Sequence, residues 1–157
     1  MTPPSRPPAP GNLRRTGVRY YFAYGINMDD TGMSVRCPGA RQIGVAALEG
    51  FRFALDPRGF ATVVRDRRAR VLGVLWTLSA RDERALDAFE AVRHGLYRKE
   101  RLVVAVGRRR RRALVYRSRG RRRAGRPRRA YLREILRAAR RQGLDQAYVT
   151  TLERLLI

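Results

Sequence analysis

The stretch from Tyr21 to Met28 constrains this chain most, because an apolar and aromatic run leads directly into a glycine. Its eight residues are Tyr21, Phe22, Ala23, Tyr24, Gly25, Ile26, Asn27 and Met28. A residue without a Cβ at the end of a strand lets the backbone turn tightly and approach a ligand closely. The sequence therefore predicts a first strand over 18–24 that delivers the backbone to a binding site.

Length and composition set the domain organisation. Residues 1–16 contain five of the eight prolines and almost nothing to bury, which predicts a disordered leader. The remainder, 17–157, has the length of one domain with a core of its own.

Hydrophobic periodicity and turn residues predict an α+β fold. Strands are expected over 41–55, 60–65, 70–78, 97–106 and 113–117. Polar turns are expected at 66–69 and 108–112, and a loop at 118–128. Helices are expected over 29–36, 80–92, 129–142 and 145–156. Because strands fill the middle of the chain and helices its end, the pattern is α+β and not alternating α/β.

The helix predicted over 80–92 begins with a capping pattern and carries one notable acid. Ser79 is a favourable N-cap, and Asp82 lies three residues later. Ala85, Leu86, Phe89 and Val92 are expected on the buried face, and Glu83 and Asp87 toward solvent. Glu90 lies at the edge of the apolar face, where partial burial would favour proton transfer. Spacing alone leaves a second interpretation open, in which Glu90 pairs with Arg93 or His94 on the helix surface.

Several ordered motifs together resemble the gamma-glutamylcyclotransferase-like family. The family's acid lies in a Leu-Asp-x-x-Glu stretch followed by Gly-x-Tyr. Its substrate segment corresponds to the glycine bend, the turn at Gly25 that follows the first predicted strand. The matching residues here are Leu86, Asp87, Glu90, Val92, Gly95 and Tyr97. The similarity is clear over residues 19–106 and fainter through Tyr131 and Gly143.

The resemblance implies a small mixed β-barrel flanked by helices, with a pocket at one mouth. Its substrate-binding segment corresponds to Tyr21–Asn27, and its acid/base to Glu90. Tyr97 and Tyr131 match positions whose phenols line the substrate site. The implied reaction cleaves a gamma-glutamyl amide by intramolecular attack, releasing 5-oxoproline and an amine without a metal or organic cofactor.

Two residues depart from the family pattern. Ile26 stands where the family usually has Ser, which places a branched apolar side chain at the edge of the pocket. Ala91 replaces the usual Gly after the acid. These changes are consistent with a leaving amine that is bulkier or more apolar than Cys-Gly or a simple amino acid, and equally with loss of activity.

The charge of the chain admits two interpretations. Lys and Arg number 36 against 13 acids, a formal charge of +23, and Lys99 is the single lysine. An acidic or nucleic-acid partner would explain this, particularly at the Arg-rich segment 108–129. An arginine-biased composition on a solvated surface would also explain it, and the near absence of lysine favours this interpretation, because an electrostatic requirement alone would accept either residue. A catalytically silent basic binding module is therefore the alternative to an enzyme.

Other reactive residues are few. With one cysteine, Cys37, and one histidine, His94, neither a zinc site nor a cysteine triad can be assigned from spacing. The single cysteine suits a reducing cytosol, and a cytoplasmic location is expected. Cys37 and Trp76 are expected to be core residues.

Overall fold

The computed structural model describes residues 17–94, 97–119 and 125–157, with the backbone alone for 91–94. The predicted leader at 1–16 lies outside these residues. So do the side chains of Arg93 and His94, which the surface pairing of Glu90 would require, and part of the predicted loop at 118–128.

Five strands of the described chain form a closed barrel in the order β1-β3-β2-β4-β5. They are β1 (Arg19–Ala23), β2 (Arg41–Leu55), β3 (Ala61–Leu78), β4 (Tyr97–Val106) and β5 (Arg109–Ser118). Neighbouring strands run antiparallel except β1 and β5, which are parallel where Tyr20 pairs with Ala113 and Tyr21 with Leu114. The predicted α+β class and the mixed barrel are thus confirmed.

Four helices accompany the barrel. They are α1 (Asp30–Arg36), α2 (Ala80–His94), α3 (Arg129–Arg141) and α4 (Gln146–Glu153), with 3-10 turns over Ile26–Met28 and Arg154–Leu156. Buried side chains from all four helices, including Met33, Leu86, Ile135 and Leu152, join the core contributed by the strands. Within the described residues, none of the helices has the length and apolar composition needed to cross a membrane.

The predicted start of α2 is confirmed by reciprocal capping. The hydroxyl of Ser79 accepts from the backbone N–H of Asp82 at 3.1 Å, and the Asp82 carboxylate accepts from the N–H of Ser79 at 3.0 Å. Two N–H groups at the helix start are thereby satisfied. Because this box sets the first turn, it also sets which face of α2 presents Glu90 to the barrel.

The predicted division of residues 60–78 into two strands is wrong. These residues form one strand, β3, that pairs with β2 along both halves. Phe51 pairs with Arg65 and Glu49 with Arg70, so residues 66–69 bulge opposite Gly50 alone. Gly50 has a φ of +80°, which a residue without a Cβ adopts easily. Polar composition there marks a bulge within a ladder and not a turn.

The predicted hairpin tip at 108–112 is also wrong in its extent. Val106 pairs with Arg109, so the tip consists of Gly107 and Arg108 alone, and Gly107 has a φ of +57°. The two-residue turn returns the chain at once, and the arginines that follow are part of β5.

Glu83 does not face solvent, contrary to expectation. It is buried and forms ion pairs with Arg19 of β1 and with Lys99 and Arg101 of β4, the latter two at 3.0 Å. Burial alone would raise the pKa of Glu83, but the hydrogen bonds and charges of these cations lower it to about 2. The acid therefore joins α2 to two strands of the barrel.

Replacing Glu83 by Gln should reduce the free energy of unfolding at neutral pH by about 1–2 kcal/mol, because charged hydrogen bonds are lost. The folded pKa of about 2 lies below the ordinary 4.5. Ionised Glu83 therefore stabilises the fold above about pH 4.5, and this contribution disappears as the pH falls toward 2. Urea unfolding across that window should show a shallower pH dependence for Glu83→Gln than for the wild type.

Glu134→Gln provides the matched control, since Glu134 is exposed on α3. It should retain the pH dependence of the wild type. An unchanged slope for Glu83→Gln would show that the ion pairs do not stabilise the fold.

Candidate functional site

A pocket opens at one end of the barrel, where β1 and β5 end and β3 and β4 begin. Its empty volume, including the open mouth, is about 340 Å³. The lining residues are Tyr21, Tyr24, Gly25, Ile26, Asn27, Ala61, Glu90, Tyr97, Tyr116 and Tyr131. One carboxylate and five phenols thus converge on a single cavity.

The glycine bend forms one wall of the pocket. Gly25 follows β1 and precedes the 3-10 turn over Ile26–Met28, whose first N–H groups have no carbonyl within the turn to accept them. A Cβ added at Gly25 would lie 3.5 Å from the Ala61 Cβ and 3.8 Å from the Tyr131 hydroxyl. The glycine therefore leaves open a space that a methyl group would occupy without clashing.

Glu90 is buried and reaches the pocket from α2. Asp87 and Glu83 precede it by three and seven residues, so the three acids share one side of the helix. Glu83 binds cations, Asp87 accepts from Tyr116, and Glu90 lines the cavity. The helix therefore brings a carboxylate to the same cavity as the glycine bend.

Four of the pocket phenols, those of Tyr21, Tyr24, Tyr97 and Tyr116, stay protonated at neutral pH. Burial raises the pKa of Tyr21, and the charge of Glu90 raises it further. Burial likewise raises the pKa of Tyr24, Tyr97 and Tyr116, with Glu90 again contributing. These side chains therefore act as neutral hydrogen-bonding groups around an acid.

Ala61 at the start of β3 holds two of the tyrosines in place. The hydroxyl of Tyr97 donates to the Ala61 carbonyl, and the Ala61 N–H donates to the hydroxyl of Tyr131 at 3.1 Å. One residue thus positions phenols from β4 and α3 on the same side of the pocket. Both phenols line the cavity.

A second set of hydrogen bonds anchors the wall near the bend. Arg36 of α1 donates through Nε to Asn27 Oδ1 at 3.0 Å, and Asn27 Nδ2 donates to the Tyr21 hydroxyl at 3.1 Å. Asp29 accepts from the N–H of Gly32 at 3.1 Å and caps α1. The polar residue after the bend is therefore structural support for the tyrosine wall.

Not every predicted binding residue lies at the pocket. Phe22 and Ala23 are buried in the core and are not among the lining side chains. Ala61 and Tyr116 line it but were missed. Alternation along β5 offers a signal for Tyr116, which lies two residues from Leu114, the partner of Tyr21. Ala61 offers none, because a small apolar residue at a strand start has no distinctive pattern.

Cys37 and Trp76 are buried, as predicted. Burial and the neighbouring Asp82 raise the pKa of the Cys37 thiol to about 11, although Arg36 opposes this. The thiol is therefore not a nucleophile at neutral pH.

Comparison with known proteins identifies the family. The sequence model of the AIG2-like family matches residues 70–152, more than half of the chain. The chain belongs to the AIG2-like family. No curated protein sequence matches it significantly.

Solved structures show the same fold for this AIG2-like chain. A gamma-glutamyl cyclotransferase is 24% identical with a TM-score of 0.79, over 87% of each chain. A human protein is 25% identical with a TM-score of 0.78, over 87% of this chain and 86% of that one. YkqA from Bacillus subtilis is 25% identical with a TM-score of 0.76, over 88% of this chain and 54% of that one. The gamma-glutamylcyclotransferase-like fold predicted from the motifs is confirmed.

Proposed function

We propose that this chain is a gamma-glutamyl cyclotransferase that releases 5-oxoproline and an amine from a gamma-glutamyl amide. One observation carries the proposal: the buried carboxylate of Glu90 lines the same pocket as the bend at Gly25. The fold that the chain shares with a solved gamma-glutamyl cyclotransferase supports it.

Ring closure needs a base, because the α-amino group of the substrate is an ammonium at neutral pH. Glu90 accepts a proton from this ammonium, and the freed amine attacks the γ-carbonyl carbon to form the ring C–N bond. Protonated Glu90 then donates to the leaving nitrogen as the original C–N bond breaks. Two protons leave the α-nitrogen in all, and two reach the leaving amine. The attack is intramolecular, so the pocket mainly holds the substrate in a reactive conformer.

The bend supplies groups suited to the developing oxyanion. In the described part of the chain, the N–H groups of Ile26 and Asn27 have no hydrogen-bond acceptor. Backbone amides at such a turn form a concavity that favours negative charge. The γ-carbonyl oxygen would then face the bend while the α-nitrogen faces Glu90.

Glu90→Gln should abolish 5-oxoproline release, with a loss of at least about 10²-fold, because an amide cannot carry the proton. Mass spectrometry of a panel of gamma-glutamyl amino acids and gamma-glutamyl amines provides the readout. The panel includes bulky apolar amines, which Ile26 is proposed to favour. A matched control is Glu134→Gln, which removes an exposed acid from α3. Retention of full activity by Glu90→Gln would rule out the proposed acid/base.

Gly25→Ala should lower kcat/KM by at least about tenfold while changing the unfolding free energy by no more than about 1 kcal/mol. The added methyl meets only ordinary contacts with Ala61 and Tyr131 but fills space between them at the bend. Gly17→Ala is the control, because a Cβ at Gly17 has no neighbour within 4 Å. If Gly25→Ala leaves the kinetics unchanged, the substrate does not lie against the bend.

A second function is proposed for the basic strand, defined here as Arg109–Arg112 of β5 together with the adjoining turn residue Arg108. These five arginines are at least partly exposed, and within the described residues none has an ion-pair partner. The side chains of Arg110 and Arg112 stand opposite Ala105 and Val103 on β4. Guanidinium groups that lack an ion-pair partner in the described residues suit the phosphates of a nucleic acid.

Nucleic-acid binding by the basic strand should depend steeply on salt. A double substitution of Arg110 and Arg112 by Gln should reduce the slope of log K against log salt by about 2, since two phosphate contacts are lost. Fluorescence anisotropy with a DNA oligonucleotide gives this slope. Substituting the exposed Arg81 and Arg84 of α2 removes equal charge elsewhere. Equal slopes for the two double variants would mean that net charge alone causes binding.

A further inference from the structure

The hydroxyl hydrogens of two pocket tyrosines are already committed to protein acceptors. Tyr24 donates its hydrogen to the backbone carbonyl of Tyr116, and Tyr116 donates its own to Asp87 Oδ1 at 2.5 Å. A neutral phenol has one hydrogen to donate. Toward anything bound in the pocket, both oxygens can therefore act only as hydrogen-bond acceptors.

Tyr21 has the opposite polarity, and the hydrogen bonds around Asn27 show why. Arg36 can only donate, so the Asn27 atom that it contacts at 3.0 Å is the carbonyl oxygen. The other amide atom is then the NH₂ group, which donates to the Tyr21 oxygen at 3.1 Å. Within the described residues the Tyr21 hydrogen has no acceptor, so it is available to a ligand in the pocket.

Asp87 lies outside the pocket lining and yet acts on it. It accepts from Tyr116 and also from Lys99 at 3.0 Å. A hydrogen bond from a phenol to a carboxylate is charge-assisted and increases the electron density on the phenol oxygen. The negative charge of Asp87 is thereby transmitted through Tyr116 to the cavity.

We propose that Asp87 and Tyr116, together with Tyr24, form an acceptor subsite that binds the α-ammonium of the substrate beside Glu90, while Tyr21 donates to a substrate oxygen. The identity of that substrate rests on the proposed function. Asp87 is a positioning residue in this scheme, because it acts through Tyr116.

The chemistry of the two ends of a glutamyl group matches this division. An ammonium has three N–H donors and no acceptor, so it needs several oxygens that cannot donate in return. Glu90 supplies a carboxylate. Tyr116 and Tyr24 supply phenol oxygens whose hydrogens are already donated to protein acceptors. Carboxylate and carbonyl oxygens need donors instead, which Tyr21 supplies.

Three small molecules without a leaving amine test this division of acceptors and donors by their binding affinity alone. L-Glutamate carries both α-groups, 4-aminobutyrate lacks the α-carboxylate, and glutarate lacks the ammonium. Tyr116→Phe should weaken L-glutamate and 4-aminobutyrate by at least about tenfold and leave glutarate unchanged. Tyr21→Phe should weaken L-glutamate and glutarate. NMR titration measures each affinity, including weak ones.

Asp87→Asn tests the positioning role. The amide can offer a hydrogen to Tyr116 in place of the charge that accepted one, so affinity for both ammonium probes should fall at least about threefold. Glutarate binding should again be unchanged, which a general distortion of the pocket would not produce. Tyr20→Phe is the control, since Tyr20 lies on β1 but outside the pocket.

The outcomes separate this inference from the proposed function. Equal losses for glutarate and the ammonium probes in Tyr116→Phe, or no saturable binding of L-glutamate to the wild type, would overturn the subsite. If the variants show the predicted changes in affinity but the wild type releases no 5-oxoproline, the acceptor subsite is supported and the proposed activity is ruled out. If the wild type releases 5-oxoproline but the variants lack these changes in affinity, the proposed activity is supported and the acceptor subsite is ruled out.

Discussion

Helix α2 places three carboxylates against the barrel, and the site depends on how each is accommodated. Glu83, Asp87 and Glu90 recur at intervals of four and three residues, so they lie along one side of the helix. A buried carboxylate is costly unless hydrogen bonds and charges compensate for its lost hydration. The barrel surrounds each of the three carboxylates with different groups. These surroundings make one acid a structural ion-pair partner and another the acid of the pocket.

Cations and phenols divide these roles along the helix. Glu83 is surrounded by Arg19, Lys99 and Arg101, which hold it ionised and tie α2 to β1 and β4. Asp87 forms an ion pair with Lys99, which also pairs with Glu83, and it accepts a hydrogen bond from the Tyr116 hydroxyl. Glu90 reaches the cavity lined by five tyrosines. Ion pairs therefore hold the first turns of the helix in place, and its last turns carry the group that is proposed to move a proton.

Local patterns predicted the parts of the fold that depend on neighbours in sequence. The capping box at Ser79 and the helix stop at Gly143, where φ is +73°, are properties of a few adjacent residues. The burial of Glu83 could not be predicted in this way, because its partner Arg19 lies 64 positions earlier. The bulge at 66–69 was misread for the same reason, since only the long partner strand β2 keeps those residues within a ladder. For the site, the resemblance indicated Glu90, Tyr97 and Tyr131, and strand alternation offers a signal for Tyr116, whereas Ala61 required the three-dimensional arrangement.

A crystal structure of the Glu90→Gln variant with a gamma-glutamyl amide bound would test the central claim most directly. We expect the α-nitrogen within hydrogen-bond reach of the side chain at position 90 and about 3–3.5 Å from the γ-carbonyl carbon, the spacing of a reactive conformer. The carbonyl oxygen should face the bend at Gly25. A ligand bound with its α-carboxylate against position 90, or extended with the α-nitrogen far from the γ-carbon, would contradict it.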